Sequence, residues 1–200
     1  VRLALAVNRA AERWDRVVLL DDDPAKLGRD ILGVEVMGPF EQLREHRPGD
    51  EAVNLVARST QGRARAREKI LSYGIPITSL VHPSVDTFGV TLGKEITIYP
   101  QCTLSALSSV GDQAVVFGQA VLGHGATLGA GAVLAPGAVV NARVRVGDRA
   151  YVGANASVLP DLEVAPDATV GACSAVVSDV PAGSTALGVP AETIPGGGST

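Results

Sequence analysis

From Leu92 onward the chain repeats a six-residue pattern of apolar and polar positions. Aliphatic residues stand at Leu92, Ile98, Leu104, Val110, Val116, Leu122, Leu128, Leu134, Val140, Val146, Val152, Val158, Val164, Val170 and Val176, without a slip of register. The position after each is glycine in Gly93, Gly111, Gly123, Gly129, Gly147, Gly153 and Gly171. The fifth position is small in most hexads, with Ala114, Ala120, Ala126, Ala132, Ala138, Ala150, Ala156 and Ala168. An α-helix cannot produce this pattern, because 3.6 residues per turn would carry a stripe of period six around its surface. A strand and a corner per hexad can produce it. Three hexads then close a triangular coil, and residues eighteen apart stack at about 4.8 Å. The run to Pro181 predicts a parallel prism of about five coils, with aliphatic side chains on the axis. Glycine is expected to relax the backbone near the corners.

The first ninety residues follow other periods. Leu3, Val7, Ala10, Ala11 and Trp14 keep helical spacing, so Val1 to Trp14 reads as a helix. Val17 to Leu20 reads as a short buried parallel strand, closed by Asp21-Asp22-Asp23-Pro24. Phe40 to His46 reads as a short helix, Ala52 to Val56 as a second strand, and Thr60 to Tyr73 as a helix stopped by Gly74. Ile77 to Val81 reads as a third strand. Such alternation predicts a small α/β domain with a parallel sheet over residues 1–81. The prism follows over 82–187, with a C-terminal tail over 188–200.

Charge sharpens the division. Residues 1–91 balance their basic and acidic side chains, so the whole net charge of −4 lies in residues 92–200. With pI near 5.4 and no basic cluster, nucleic acid is not an expected partner. No apolar run reaches the length of a membrane span and no signal peptide is visible, so a cytoplasmic protein is expected. Cys102 and Cys173 form no disulfide framework, and Cys102 takes a small inward position as core filler. Of His46, His82 and His124 only the last lies in the repeats, so no metal site is expected.

The hexads resemble the left-handed β-helix of hexapeptide-repeat acyltransferases. Three further segments narrow the resemblance to the sialic acid/perosamine/bacillosamine sugar O- and N-acetyltransferases. They are Val17 to Asp23 followed by Leu32-Gly33-Val34, then Val81-His82-Pro83-Ser84, and finally Gly188-Val189-Pro190-Ala191. The resemblance implies a Rossmann-like nucleotide-sugar domain before the left-handed β-helix. It implies acetyl-CoA as acyl donor, a small-molecule sugar as acceptor, and a homotrimer. It also implies a strand and a glycine-rich turn ahead of the first helix. The chain opens inside that helix with Val1 rather than Met, which reads as a Rossmann-like domain missing its first strand.

Val121-Leu122-Gly123-His124-Gly125 aligns with that family's catalytic histidine hexad. A neutral imidazole there can take a proton from an attacking amine or hydroxyl. Ala142 lies eighteen residues on, where the family's backbone N–H holds the thioester oxygen and contributes to cofactor binding. Phe117-Gly118 occupies the family's Asn-Thr substrate position, and Gly188, Pro190 and Ala191 its coenzyme A-proximal end. Asp21 and Asp22 occupy the nucleotide-contacting strand end, although Asp before Pro24 also suits a hydrated turn. The family's acid after the histidine is Gly125 here, its second histidine Val133, its terminal Lys or Arg Glu192, and its Gly-Asn Arg58-Ser59. The first reading is an acetyl-CoA-dependent acetyltransferase acting on an amino or hydroxyl group of a nucleotide-linked or free sugar. These departures motivate an alternative, a catalytically impaired trimeric hexapeptide-repeat ligand-binding or scaffold protein. An acyltransferase using another acyl donor is a third reading.

Overall fold

The computed structural model describes residues 1–56 and 59–194. Every hexad from Leu92 to Val176 ends in a two-residue strand, fifteen in all from Thr91–Leu92 to Ala175–Val176. Pairing is parallel, with partners eighteen residues apart, as in Leu104, Leu122, Val140 and Val158. Three faces result, and the fold is the expected left-handed β-helix. Face one carries Thr103–Leu104, Val121–Leu122, Val139–Val140, Ser157–Val158 and Ala175–Val176. Face two carries Thr91–Leu92, Ser109–Val110, Thr127–Leu128, Arg145–Val146 and Glu163–Val164. Face three includes Thr97–Ile98, Val115–Val116, Val133–Leu134, Tyr151–Val152 and Thr169–Val170.

The aliphatic positions are buried, apart from the half-buried Leu92 at the first coil. The alanines of the fifth position are fully enclosed beside them. Glycine has a different task from the one expected. The left-handed backbone conformation falls on the fourth position of each hexad, and non-glycine residues such as Gln113, Gln119, Arg143 and Asp161 adopt it there, with φ between 58° and 65°. The second-position glycines instead permit close approach of successive coils. A Cβ on Gly123 would lie 2.6 Å from the Asn141 carbonyl carbon and 2.7 Å from the Ala142 nitrogen. The coils could not stack at strand spacing with that atom present.

The corners carry ion-pair ladders. Arg143 grips Asp161 through two bonds of 2.6 and 2.7 Å, and Arg149 grips Asp167 in the same way. Arg145 reaches Glu163 at 3.1 Å on face two. Every Lys, Arg, Asp and Glu between Leu92 and Pro181 belongs to face two or one of its two corners. Between Leu92 and Pro181, faces one and three and the corner between them are uncharged. The chain's end folds back as a hairpin, Thr185–Gly188 against Ala191–Ile194, where the sequence reads as a tail.

The chain divides into two compact units, Val1–Pro83 and Ser84–Thr200. In the first, helix α1 (Arg2–Ala11) is shorter than its spacing predicts. Glu12 turns left-handed and bonds back to the Asn8 carbonyl, and the Asn8 side chain ties both backbone atoms of Trp14, which ends the helix. Leu3, Ala4 and Val7 are buried, whereas Ala10 and Ala11 are exposed. The sheet differs more. Strand β1 (Leu19–Leu20) pairs parallel with β3 (Val34–Gly38), and β2 (Asp30–Ile31) joins β3 antiparallel. The β2–β3 turn holds Leu32 at φ 58° and Gly33 at φ 79°, the hairpin geometry that usually selects Asn-Gly. Strand β1 is only half-buried, so the expected buried strand is not found. Ala52 to Val56 contributes a single parallel bridge, Ala52 to Ile77, rather than a strand. Helix α2 (Thr60–Ser72) is capped by Ser59, whose hydroxyl accepts from Gly62 N–H, and β4 (Leu80–Val81) packs against α1. Phe40–Glu45 is a 3-10 helix.

Candidate active site

His124 follows the face-one strand Val121–Leu122 and is exposed. Gly125 turns the corner beside it at φ 65°. Among the described residues the imidazole makes no hydrogen bond, so none of them orients it. Its backbone carbonyl accepts from Arg143 N–H at 2.9 Å, which seats His124 beneath the Ala142–Arg143 segment of the next coil. The structure therefore brings His124 and Ala142 together in one column. Among the described residues the Ala142 N–H donates to no acceptor. Its counterparts Lys94 and Ala130 are capped by the carboxylates of Asp112 and Asp148, at 2.7 and 2.8 Å, one coil further along. The residue one coil beyond Ala142 is Pro160, which has no carboxylate. The open amide beside the histidine could be found by reading the sequence at period eighteen. Its absence of a partner is the signal that hexad reading alone misses.

The other predicted residues lie elsewhere. Phe117 and Gly118 follow a face-three strand, one corner before His124. The Phe117 ring stacks on Tyr99 at 4.9 Å and 22°, so an aromatic pair stands where an amide and a hydroxyl were expected by resemblance. Gly188 ends one hairpin strand, its N–H donates to Ser174 Oγ at 3.1 Å, and Pro190 and Ala191 complete the turn at the C-terminal end of the rod. Glu192 stands opposite Leu187 and is exposed. Val133 is buried, at 2% exposure, and presents nothing to a ligand. A Cβ on Gly125 would meet the Arg143 side chain at an ordinary 3.5 Å, so the corner has room for a carboxylate that this chain does not use.

In the first unit Asp21 and Asp22 each use both oxygens internally. Asp21 accepts from Lys26 at 2.7 Å and from the Asp23 N–H. Lys26 and then the Asp23 N–H hold its carboxyl below the usual range. Asp22 accepts from the Phe40 N–H at 2.9 Å and from Lys69 at 3.0 Å, and Lys69 also reaches Glu41. The Phe40 N–H, ahead of Lys69, keeps the Asp22 carboxyl low despite some desolvation. A cavity of about 530 Å³ lies at the opposite end of β1, lined by Leu5, Asn8, Arg16, Val17, Val34 and Glu35 among others. Arg58 lies outside the described residues.

No family model matches the chain, and no curated protein matches it. Solved structures do. PerB from Caulobacter crescentus, in complex with CoA and GDP-perosamine, is 29% identical with a TM-score of 0.81, across 96% of this chain and 92% of that one. The acetyltransferase domain of PglB from Neisseria gonorrhoeae, with acetyl coenzyme A, is 25% identical with a TM-score of 0.85, across 96% and 91%. These structural neighbours are hexapeptide-repeat sugar acetyltransferases, the family that the sequence resembles. WeeI from Acinetobacter baumannii shares the fold at 20% identity and a TM-score of 0.84, across 96% and 93%. Neither cysteine of this chain is placed as a nucleophile. Cys102 is buried with Sγ 3.1 Å from the Phe117 carbonyl, and desolvation pushes its thiol up to about 11. Cys173 is exposed on a corner.

Proposed function

We propose that the chain is an acetyl-CoA-dependent acetyltransferase acting on an amino or hydroxyl group of a nucleotide-linked sugar. One observation carries the reading: an exposed imidazole lies one coil from an open backbone N–H, in a chain whose whole length resembles such enzymes. His124 takes the proton of the attacking amine or hydroxyl and returns it to the departing thiolate. The Ala142 N–H donates to the carbonyl oxygen as it gains negative charge. Attack is direct, since no cysteine is placed to carry the acyl group. The hairpin residues Gly188, Pro190 and Ala191 contact the coenzyme end of the donor in this reading. Phe117 and Gly118 meet the acceptor, and the strand end held by Asp21 and Asp22 meets the nucleotide. Three copies pack side by side through the uncharged faces one and three, since charge is depleted from interface cores. Among the described residues no helix is long and apolar enough to cross a membrane, and the reading places the enzyme in the cytoplasm.

A calorimetric titration with acetyl-CoA should show binding in the micromolar range, and light scattering should give three times the 20.4 kDa chain mass. Heat-silent titration would favour the scaffold reading, which Gly125 and the exposed acidic Glu192 motivate, and a 20.4 kDa particle would sink the trimer. The oxyanion role has its own test. Proline already occupies the hexad position of Ala142 at Pro100, Pro136, Pro160 and Pro166, so Ala142→Pro should fold. It removes only the N–H, and turnover should fall by roughly 10²–10³-fold. Undiminished turnover in a folded Ala142→Pro protein would rule out that amide.

A further inference from the structure

One coil of the rod carries glycine at the left-handed position of all its corners, Gly125, Gly131 and Gly137. From Glu95 to Cys173 every other corner holds a residue with a side chain in that same conformation. The backbone therefore does not require glycine there. Packing accounts for Gly137, where the Asn155 side chain takes the place of a Cβ. A Cβ on Gly125 or Gly131 would instead meet an arginine side chain at an ordinary 3.5 Å. These two corners are bare without a folding reason. They lie at opposite edges of face two, with Ala130 a third of a coil, ~1.6 Å, above His124. In the trimer proposed above, face one of each copy meets face three of the next. The corner that carries His124 then stands beside the next copy's corner between faces two and three. Copies related by rotation about an axis along the rods keep equal heights. The imidazole therefore meets the one corner of the partner that offers no side chain larger than a methyl.

A carboxylate is seated on that corner. Asp148 lies one coil above Ala130, and its Oδ1 accepts from the Ala130 N–H at 2.8 Å, which draws it down toward the level of His124. Among the described residues Oδ2 has no hydrogen-bond partner, and the residue is exposed. The other charges near the cleft are engaged or distant. Arg143, above His124 on its own corner, grips Asp161, and Arg149 grips Asp167. Arg145 and Glu163 pair on face two, outside the cleft. The comparable cap, Asp112 on the Lys94 N–H, sits roughly a coil and a half below His124, with Glu95 beside it. We infer that Asp148 of the partner subunit is a positioning residue for His124. Its Oδ2 accepts from one ring nitrogen and leaves the other to take the acceptor's proton. The acid that Gly125 does not provide within the chain is provided across the cleft. Within one chain the two residues stand at opposite edges of face two, so the contact requires two copies. The inference rests on the trimer and the base role of the proposed function.

An NMR titration of isotope-labelled histidine tests the contact without a substrate. The chain has only His46, His82 and His124, and His124→Ala identifies the last of them. Asp148→Asn keeps an oxygen for the Ala130 N–H and removes the charge. It should lower the His124 titration midpoint by about one pH unit, because a nearby carboxylate favours the imidazolium. His46 and His82 should not move. Above the midpoint, nitrogen shifts should show one His124 tautomer in the wild type and a mixture in Asp148→Asn. Asp112→Asn alters the same kind of cap and should change neither. In a Cys173→Ser background, His124→Cys combined with Asp148→Cys should be linked between copies by a short thiol crosslinker, and neither single variant should. An unmoved His124 midpoint in Asp148→Asn, an equal shift in Asp112→Asn, or no linked copies would overturn the proposal. A solution mass of 20.4 kDa would overturn it together with the trimer. If His124→Ala acetylates undiminished while Asp148→Asn still moves the midpoint, the contact stands and the base role falls.

Discussion

Val140→Asp is expected to unfold the rod. Val140 is fully enclosed on the axis of the third coil, between Leu122 and Val158. A carboxylate there would have no cation within the prism, because every charged residue of the repeats lies on face two or its corners. The carboxyl must either enter uncharged, leaving polar atoms unpaired, or bring water onto the axis, and both cost several kcal/mol. For a chain of this length each kcal/mol lowers the melting temperature by about 2–4 °C. A drop of roughly 10 °C or more is expected, together with loss of the strand signal in circular dichroism. Arg143→Ala is the control. It removes an exposed ion pair with Asp161, and such pairs contribute little in water. Equal melting of the two variants would show that the axial register is wrong.

The second large effect is catalytic. His124→Ala should lower turnover by roughly 10²–10⁴-fold, the usual contribution of a positioned acid–base group. Acetyl-CoA affinity should scarcely change, because the proposed reading assigns the donor's carbonyl to the Ala142 amide and its coenzyme end to the hairpin. Folding should be unaffected, since the imidazole is exposed and makes no hydrogen bond among the described residues. The prediction is therefore a fall in kcat with a steady Kd from calorimetry. A His124→Ala protein that acetylates as fast as wild type would move the chemistry to another residue. Loss of donor binding with turnover otherwise proportionate to occupancy would make His124 a binding residue instead.

Much of the rod is legible in the linear chain because its determinants are local. Each hexad writes its own inward residue, and a slip of one would turn Val140 outward and Val139 inward. The eighteen-residue coil then follows by counting, and it places Ala142 over His124 before any coordinates exist. The first unit is less legible. Leu32-Gly33 lacks the usual chemistry of a two-residue hairpin, so the antiparallel β2 is invisible in the sequence, and Ala52 to Val56 looks like a strand although only Ala52 finds a partner. Short apolar runs do not say which neighbour will pair with them.

What the sequence determined by itself is the prism, its register and the position of its one histidine, because a six-residue repeat of short strand and tight corner is a property of neighbouring residues. The tertiary structure decided which groups remain open. Among the described residues the Ala142 N–H has no acceptor, with Pro160 rather than an aspartate one coil beyond it, whereas Ala130 is capped by Asp148. Asp21 and Asp22, so open in the sequence, are engaged by Lys26, Lys69 and the Phe40 N–H. Hydrogen-bond satisfaction and exposure depend on residues far apart in sequence, and only the closed coils bring those residues together.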